Sequence, residues 1–260
     1  MKHAPAAGGP LKNVLLEVCC GSLDDAIEAE RGGADRVELC SCLFLGGLTP
    51  SIGSVIEAKR RLKIPVIVML RPRGGGFCYT EAEFAAMQCD ARMALAEAAD
   101  GIVFGVLNSD GTVDRDRNRI LCEIAGDKEA VFHRAIDVVP DPFDALEQLI
   151  ELGFTRLLTS GQQPYVPEGL DVIRKLIERA GDRITVMPGG GIRPPFVPEV
   201  VARTGCSQIH IAAWKSQHDP SCEHHPQVTF GGALYPPENR YEITDRDTVH
   251  GIAKALANAK

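Results

Sequence analysis

The chain has 260 residues, 45% of them hydrophobic, enough to bury one large core and close to the roughly 250 residues of a single-domain α/β barrel. A formal charge of −7 and a pI near 5.5 argue against a nucleic-acid or anionic-membrane partner, which would call for clustered Lys and Arg. Nine cysteines, an odd number, in a chain with no export signal favour reduced thiols and a cytoplasmic setting over a disulfide framework.

Residues 1–13 are rich in Ala, Gly and Pro with no apolar h-region, so they read as a flexible leader to a barrel domain spanning 14–260. From there, apolar β-type runs alternate with helical patterns. Strands are predicted near 14–19, 36–40, 65–70, 101–106, 130–133, 156–159, 184–187 and 208–211. Helices fall near 22–31, 50–61, 80–98, 114–124, 142–152, 167–180 and 194–204, most entered through Ser, Thr, Asp or Pro and several followed by glycine. Eight strands each followed by a helix point to a TIM (β/α)₈ barrel, with a doubly wound open sheet as the competing arrangement.

The seventh strand, Ile-Thr-Val-Met-Pro at 184–188, empties into Gly189, Gly190 and Gly191. Without Cβ atoms these residues can take positive φ and bring backbone amides to an anion, and a helix starting near Pro194 or Pro195 would add its positive end. In this fold the turns after strands seven and eight are where phosphate is most often held. After His210 the pattern changes. Residues 214–240 are polar and rich in Pro and Gly, and are expected to form an irregular loop that covers part of the barrel mouth or reaches a neighbouring subunit, before a final helix near 245–258. The His/Cys run at 218–225 matches no closed tetrahedral metal signature.

Barrel active sites are built at C-terminal strand ends, and residues two apart share a strand face. Glu17 shares one with Cys19, and Glu38 with Cys40. Arg71 and Arg73 follow strand three, His133, Arg134 and Asp137 follow strand five, Ser160 ends strand six, and strand eight supplies His210. Glu17 and Glu38 on adjacent strands would repel unless one held a proton or an arginine lay between them, and Arg71 is the arginine expected there. A salt-bridged plug closing the barrel is the purely structural account of the same residues.

Leu-Glu-Val-Cys-Cys at 16–20, Gly-Ala-Asp-Arg-Val-Glu-Leu-Cys at 33–40, Gly-Gly-Leu-Thr-Pro-Ser at 46–51 and Arg-Pro-Arg-Gly-Gly-Gly-Phe-Cys-Tyr at 71–79 resemble the copper homeostasis protein CutC family. Phe-His-Arg-Ala-Ile-Asp at 132–137 and Leu-Thr-Ser-Gly at 158–161 extend the resemblance, which runs from about 14 to 214. It implies a TIM-type barrel, cytoplasmic and homo-oligomeric as a dimer or tetramer, with a role in copper handling.

Two chemistries compete for these residues. Cytoplasmic copper is Cu(I), a soft ion that prefers thiolates, and Cys19 and Cys40 on one face of adjacent strands would meet on one ion. Cys20 joins them only if the chain bends, and an ordinary buried cysteine is the commoner fate of each. Alternatively the mouth acts on a small anionic or phosphorylated metabolite. Arg71, Arg73, Arg134, Asp137, Ser160, His210 and the Gly189 to Gly191 turn would then bind it, while Glu17, Glu38 and His133 move protons.

Overall fold

The structure is a computed structural model that describes residues 14–230 and 238–258. The leader expected at 1–13 lies outside the described residues. Short apolar runs form the parallel strands β1 (Leu15–Cys20), β2 (Arg36–Leu39), β3 (Val66–Met69), β4 (Gly101–Phe104), β5 (Glu129–Phe132), β6 (Arg156–Thr159), β7 (Thr185–Pro188) and β8 (Gln208–Ile211). Between them run α1 (Leu23–Gly32), α2 (Ile52–Arg61), α3 (Glu81–Ala96), α4 (Arg115–Ala125), α5 (Pro142–Glu151), α6 (Val166–Ala180) and α7 (Val197–Thr204), and α8 (Arg246–Asn258) closes the described chain.

Capping chemistry explains the helix starts. Ser22, Ser51, Thr80, Asp114 and Asp141 each accept a hydrogen bond from a first-turn amide, and Thr80 forms a reciprocal capping box with Glu83. Two helices end on glycines in the left-handed conformation, Gly33 and Gly205.

The strands pair in sequence order from β1 to β7, β8 pairs with β1, and a parallel bridge between Gly189 and His210 brings β7 to β8. The sheet is therefore a closed TIM (β/α)₈ barrel, not the open alternative. Between strands and helices lies an almost continuous apolar shell. The barrel interior is divided. Cys40, Ile67, Met69, Val103 and Val131 make a small apolar cluster on β2 to β5, while the β1, β6 and β8 side holds Glu17, Arg156 and His210.

Two elements differ from expectation. Pro194–Phe196 form a 3-10 turn, so α7 begins at Val197 and its N-terminus lies further from the glycine turn. The segment expected to be irregular over 214–240 opens with β9 (Trp214–His218), which pairs antiparallel with β10 (Arg240–Thr244). Every residue of β9 is exposed, so no apolar alternation marked it as a strand. The hairpin is inserted between β8 and α8, tied down where Thr244 donates its amide to buried Asp25 and the Asp245 amide donates to the Ala213 carbonyl.

Asn118 is the fully buried polar clamp of the β4 side. Its Oδ1 accepts from the Val106 amide at 3.1 Å, and its Nδ2 donates to the Val106 and Asp114 carbonyls at 2.8 and 2.7 Å. Replacing it with Leu orphans buried backbone groups at the end of β4. Asn118→Leu should cost about 2–4 kcal/mol in urea unfolding, whereas the exposed Arg119→Ala should cost less than about 0.5 kcal/mol.

Candidate functional site

Period-two alternation turns Glu17 and Cys19 of β1 and Arg36 and Glu38 of β2 inward, with Cys40 just past β2, Arg156 on β6 and His210 on β8. The register puts Glu17 beside Arg36 on one neighbour and His210 on the other, and sets Cys19 beside Glu38. Glu17 is the hub. Its Oε2 accepts from Arg36 Nε at 2.5 Å and from Arg156 Nη1 at 2.7 Å, and its Oε1 lies 2.8 Å from His210 Nδ1. Arg36 also donates to Gln208 Oε1, and Arg156 pairs with Glu129.

Burial by itself would raise the Glu17 pKa. The His210 hydrogen bond and the charges of Arg156 and Arg36 outweigh it and hold this carboxylate well below the ordinary range. His210 responds in the opposite sense. Burial disfavours its charge, but the acidic groups Glu38, Cys19 and Glu17 around it lift its pKa well above the usual value.

One layer nearer the mouth, Glu38 Oε1 lies 3.3 Å from Cys40 Sγ and 3.5 Å from Cys19 Sγ, and the two sulfurs are 4.0 Å apart. A hydrogen bond from Cys40, helped by His210, lowers the Cys19 thiol to about 5 against the effect of burial. Cys40 is raised well above the thiol range, by the same hydrogen bond and by burial, and is the partner that keeps its proton. Burial, with the neighbouring Cys19 charge, pushes Glu38 up to about 8.

Among the described residues, two sets of three metal-donor atoms lie within 4.8 Å of one another: Cys19, Glu38 and Cys40, and Glu17, Glu38 and His210. The second suits a cation poorly, because Glu17 is already committed to two guanidinium groups that would repel it. The first brings two sulfurs and one oxygen together with a single thiolate already formed.

The remaining predicted residues sit as follows. Cys20 stays in regular strand, so its side chain faces the outer shell, where its sulfur contacts the Val18 carbonyl and burial raises its pKa; it does not join Cys19 and Cys40. Arg71 does not lie between the two glutamates. Its guanidinium is held by the Leu45, Gly47 and Gly75 carbonyls, and Arg36 and Arg156 take the place expected of it. Arg73 turns away to pair with Glu83 at 2.6 Å and cap the Cys78 carbonyl. Buried His133 packs against Phe77 with the ring centroids 4.8 Å apart and the planes tilted by 51°, accepts the Ala135 amide on Nδ1, and is lowered to about 3 by burial and by the Arg71 charge.

Arg134, Asp137, Ser160 and the glycine turn do come together. Arg134 donates to Asp137 Oδ2 at 2.8 Å and to Ser160 Oγ at 2.7 Å, and its Nη1 lies 3.1 Å from where a Cβ on Gly190 would stand. Gly190 has φ +127°, open to glycine alone in practice, and Gly189 has its amide committed to the Thr159 carbonyl.

Arg36 and Arg156 are the functional residues that sequence reasoning missed. Attention to the C-terminal strand ends passed over them, although Arg36 stands two residues before Glu38 and therefore shares its face.

The CutC family profile matches residues 14–215. A CutC family protein of Treponema denticola is 48% identical over 246 residues, covering 95% of this chain and 100% of the relative. The chain belongs to the CutC family. A copper homeostasis protein cutC homolog of Homo sapiens is 43% identical over 251 residues, covering 95% of this chain and 92% of that protein. A crystal structure of a CutC protein from Streptococcus agalactiae superposes with a TM-score of 0.73 at 36% identity, covering 76% of this chain and 98% of that one.

His133 carries a pH signature. The unfolded chain protonates this imidazole near pH 6.5 and the fold only near 3, so its contribution destabilises the fold progressively as pH falls from 6.5. Glu38 works in the opposite direction over pH 8 to 4.5, so the comparison must be made against a variant. Asn at 133 can still accept the Ala135 amide. Lowering the pH from 7 to 5 should move the unfolding free-energy difference between wild type and His133→Asn by about 2 kcal/mol in favour of the variant.

Proposed function

We propose that this CutC chain handles copper as Cu(I), its cargo, and that Cys19 and Cys40 hold the ion at the barrel mouth with Glu38 beside them. The observation that carries the reading is the 4.0 Å separation of the two sulfurs. With a metal–thiolate bond of about 2.3 Å, as for zinc, one ion bridging them would subtend an angle of about 120° and leave a third position open. Soft thiolates match Cu(I) in preference to harder divalent ions. Relatives named as copper homeostasis proteins, and the absence among the described residues of any helix long and apolar enough to cross a membrane, are consistent with this role. A cytoplasmic, homo-oligomeric protein with reduced thiols completes the proposal.

The chemistry of loading follows from the protonation pattern. Cys19 enters as thiolate, so uptake displaces the proton of Cys40, whose sulfur is 3.3 Å from Glu38 Oε1. A carboxyl group pushed up to about 8 exchanges protons near neutrality and can relay that proton outward. In a Cu(I) titration under strict reduction, Cys19→Ser/Cys40→Ser should lose at least roughly 100-fold in affinity, about 2.7 kcal/mol. Wild-type affinity should rise with pH between 6 and 8. Retained affinity and stoichiometry in the folded double variant would remove the thiol pair as the copper site.

A second reading rests on Arg134. Its guanidinium, the Ser160 hydroxyl and the Gly190 and Gly191 backbone meet at the ends of β6 and β7, where a small anion or a phosphorylated metabolite would fit, with Glu38 and His133 as the proton-transfer groups of an enzyme. Phosphate or a phosphosugar should raise the melting temperature of wild type, and the ligand affinity should fall roughly 10-fold in Arg134→Ala, with the gain shrinking as salt is added. Equal shifts in both proteins would place the anion elsewhere.

A further inference from the structure

A cavity of about 330 Å³ opens between the 3-10 turn Leu43–Leu45 and the β9–β10 hairpin. Its floor is Cys19, the more accessible of the two facing thiols, and Phe44 and Trp214 form aromatic walls, with Tyr241 also among the lining residues. Arg240 and Glu242, two residues apart on one face of β10, stand at its edge, and neither makes an ion pair with a described residue. The framework is fixed, because buried Asp25 ties the Gly21 amide on one side of the cavity to the Thr244 amide on the other.

Each part of this lining selects for something. The volume lies at the lower end of the roughly 300–1,000 Å³ of small-molecule sites, which suits an amino acid or a short peptide. Aromatic walls favour burying a carbon skeleton. Charges of opposite sign, side by side and with no ion-pair partner among the described residues, match a zwitterion, its carboxylate on Arg240 and its ammonium on Glu242. At the floor, the third coordination position of a bridged Cu(I) calls for a soft donor that Glu38 oxygen does not supply.

We propose that the cavity is a docking site for a small zwitterionic thiol of the amino-acid or short-peptide class, which brings Cu(I) as its thiolate complex and hands it to Cys19 and Cys40. The proposal rests on the copper reading above and names the donor from which the site loads. In the transfer, Cu–S bonds form to Cys19 and Cys40 and the carrier's Cu–S bond breaks. The proton displaced from Cys40 leaves on the carrier thiol, and copper stays Cu(I), so no oxidant or reductant takes part.

Trp214 is the single tryptophan of the chain and stands in the cavity wall about half exposed, so its fluorescence reports occupancy directly. The whole protein is titrated under reduction with glutathione alone, then loaded with Cu(I) from glutathione and, separately, from a thiol-free chelator. Glutathione should change Trp214 emission saturably. In Arg240→Glu, an exposed substitution, that response should weaken at least about 10-fold and loading from glutathione should slow by a similar factor. No emission change at saturating glutathione, or loading of Arg240→Glu from glutathione at the wild-type rate, would overturn the proposal. So would an emission change driven by protein concentration alone, which would mark this face as the interface with a second copy. If wild type takes no Cu(I) from the chelator while glutathione still shifts Trp214 in an Arg240-dependent way, the copper reading fails and the thiol-binding site stands.

Discussion

A carboxylate inside a barrel is stable only when its charge is answered on every side, and Glu17 meets that condition with Arg36, Arg156 and His210. Each of these ions loses several kcal/mol of hydration on burial, and losing one member of such a set typically costs about 3–5 kcal/mol because the others are left uncompensated. The set joins β1 to β2, β6 and β8, so it bridges the interior as a polar crosslink where the opposite wall is filled by Ile67, Val103 and Val131. With Cys19 as thiolate and Glu129 on Arg156, three negative and three positive groups balance.

That balance decides which chemistry the layer above can do. With Glu17 saturated, it is withdrawn from metal ligation and from proton transfer, and its effect passes through His210. The imidazole, charged because acidic groups surround it, stabilises the Cys19 thiolate. The thiol pair is thus polarised from below, with one sulfur deprotonated and the other protonated. Glu38, between them, has its pKa moved toward neutrality by the same crowding. Burial, usually an argument for inert cysteines, here comes with a fixed positive neighbour that makes one of them available.

Much of the barrel was legible because its signals are local. Four-residue apolar runs, Ser, Thr and Asp caps and terminal glycines all act within a turn or two of chain, and they placed β1 to β8 and the helices within a few residues. Face-sharing was equally local, so the company of Cys19 with Glu38 and Cys40 followed from period two, as did the outward turn of Cys20. What escaped depends on reach across the barrel. Nothing in the sequence near Glu17 says that Arg156, distant by 139 positions, meets it at 2.7 Å, or that Arg71 is held by three loop carbonyls. The β9–β10 hairpin escaped for another reason. A strand with no buried face carries none of the alternation by which strands are recognised.

The hairpin's placement bears on how this fold can diversify. It departs from the barrel at Ala213 and returns at Asp245, and the amide of the second bonds the carbonyl of the first, so the insertion is pinched off at its base. Helix α8 resumes the barrel pattern beyond that pinch, packing Val249 against Gly32 of α1. Substitutions or length changes in the hairpin therefore leave the eight-strand closure and the charged interior untouched, while they remodel one wall above Cys19. What approaches the thiols can therefore be retuned without re-solving the problem of burying Glu17.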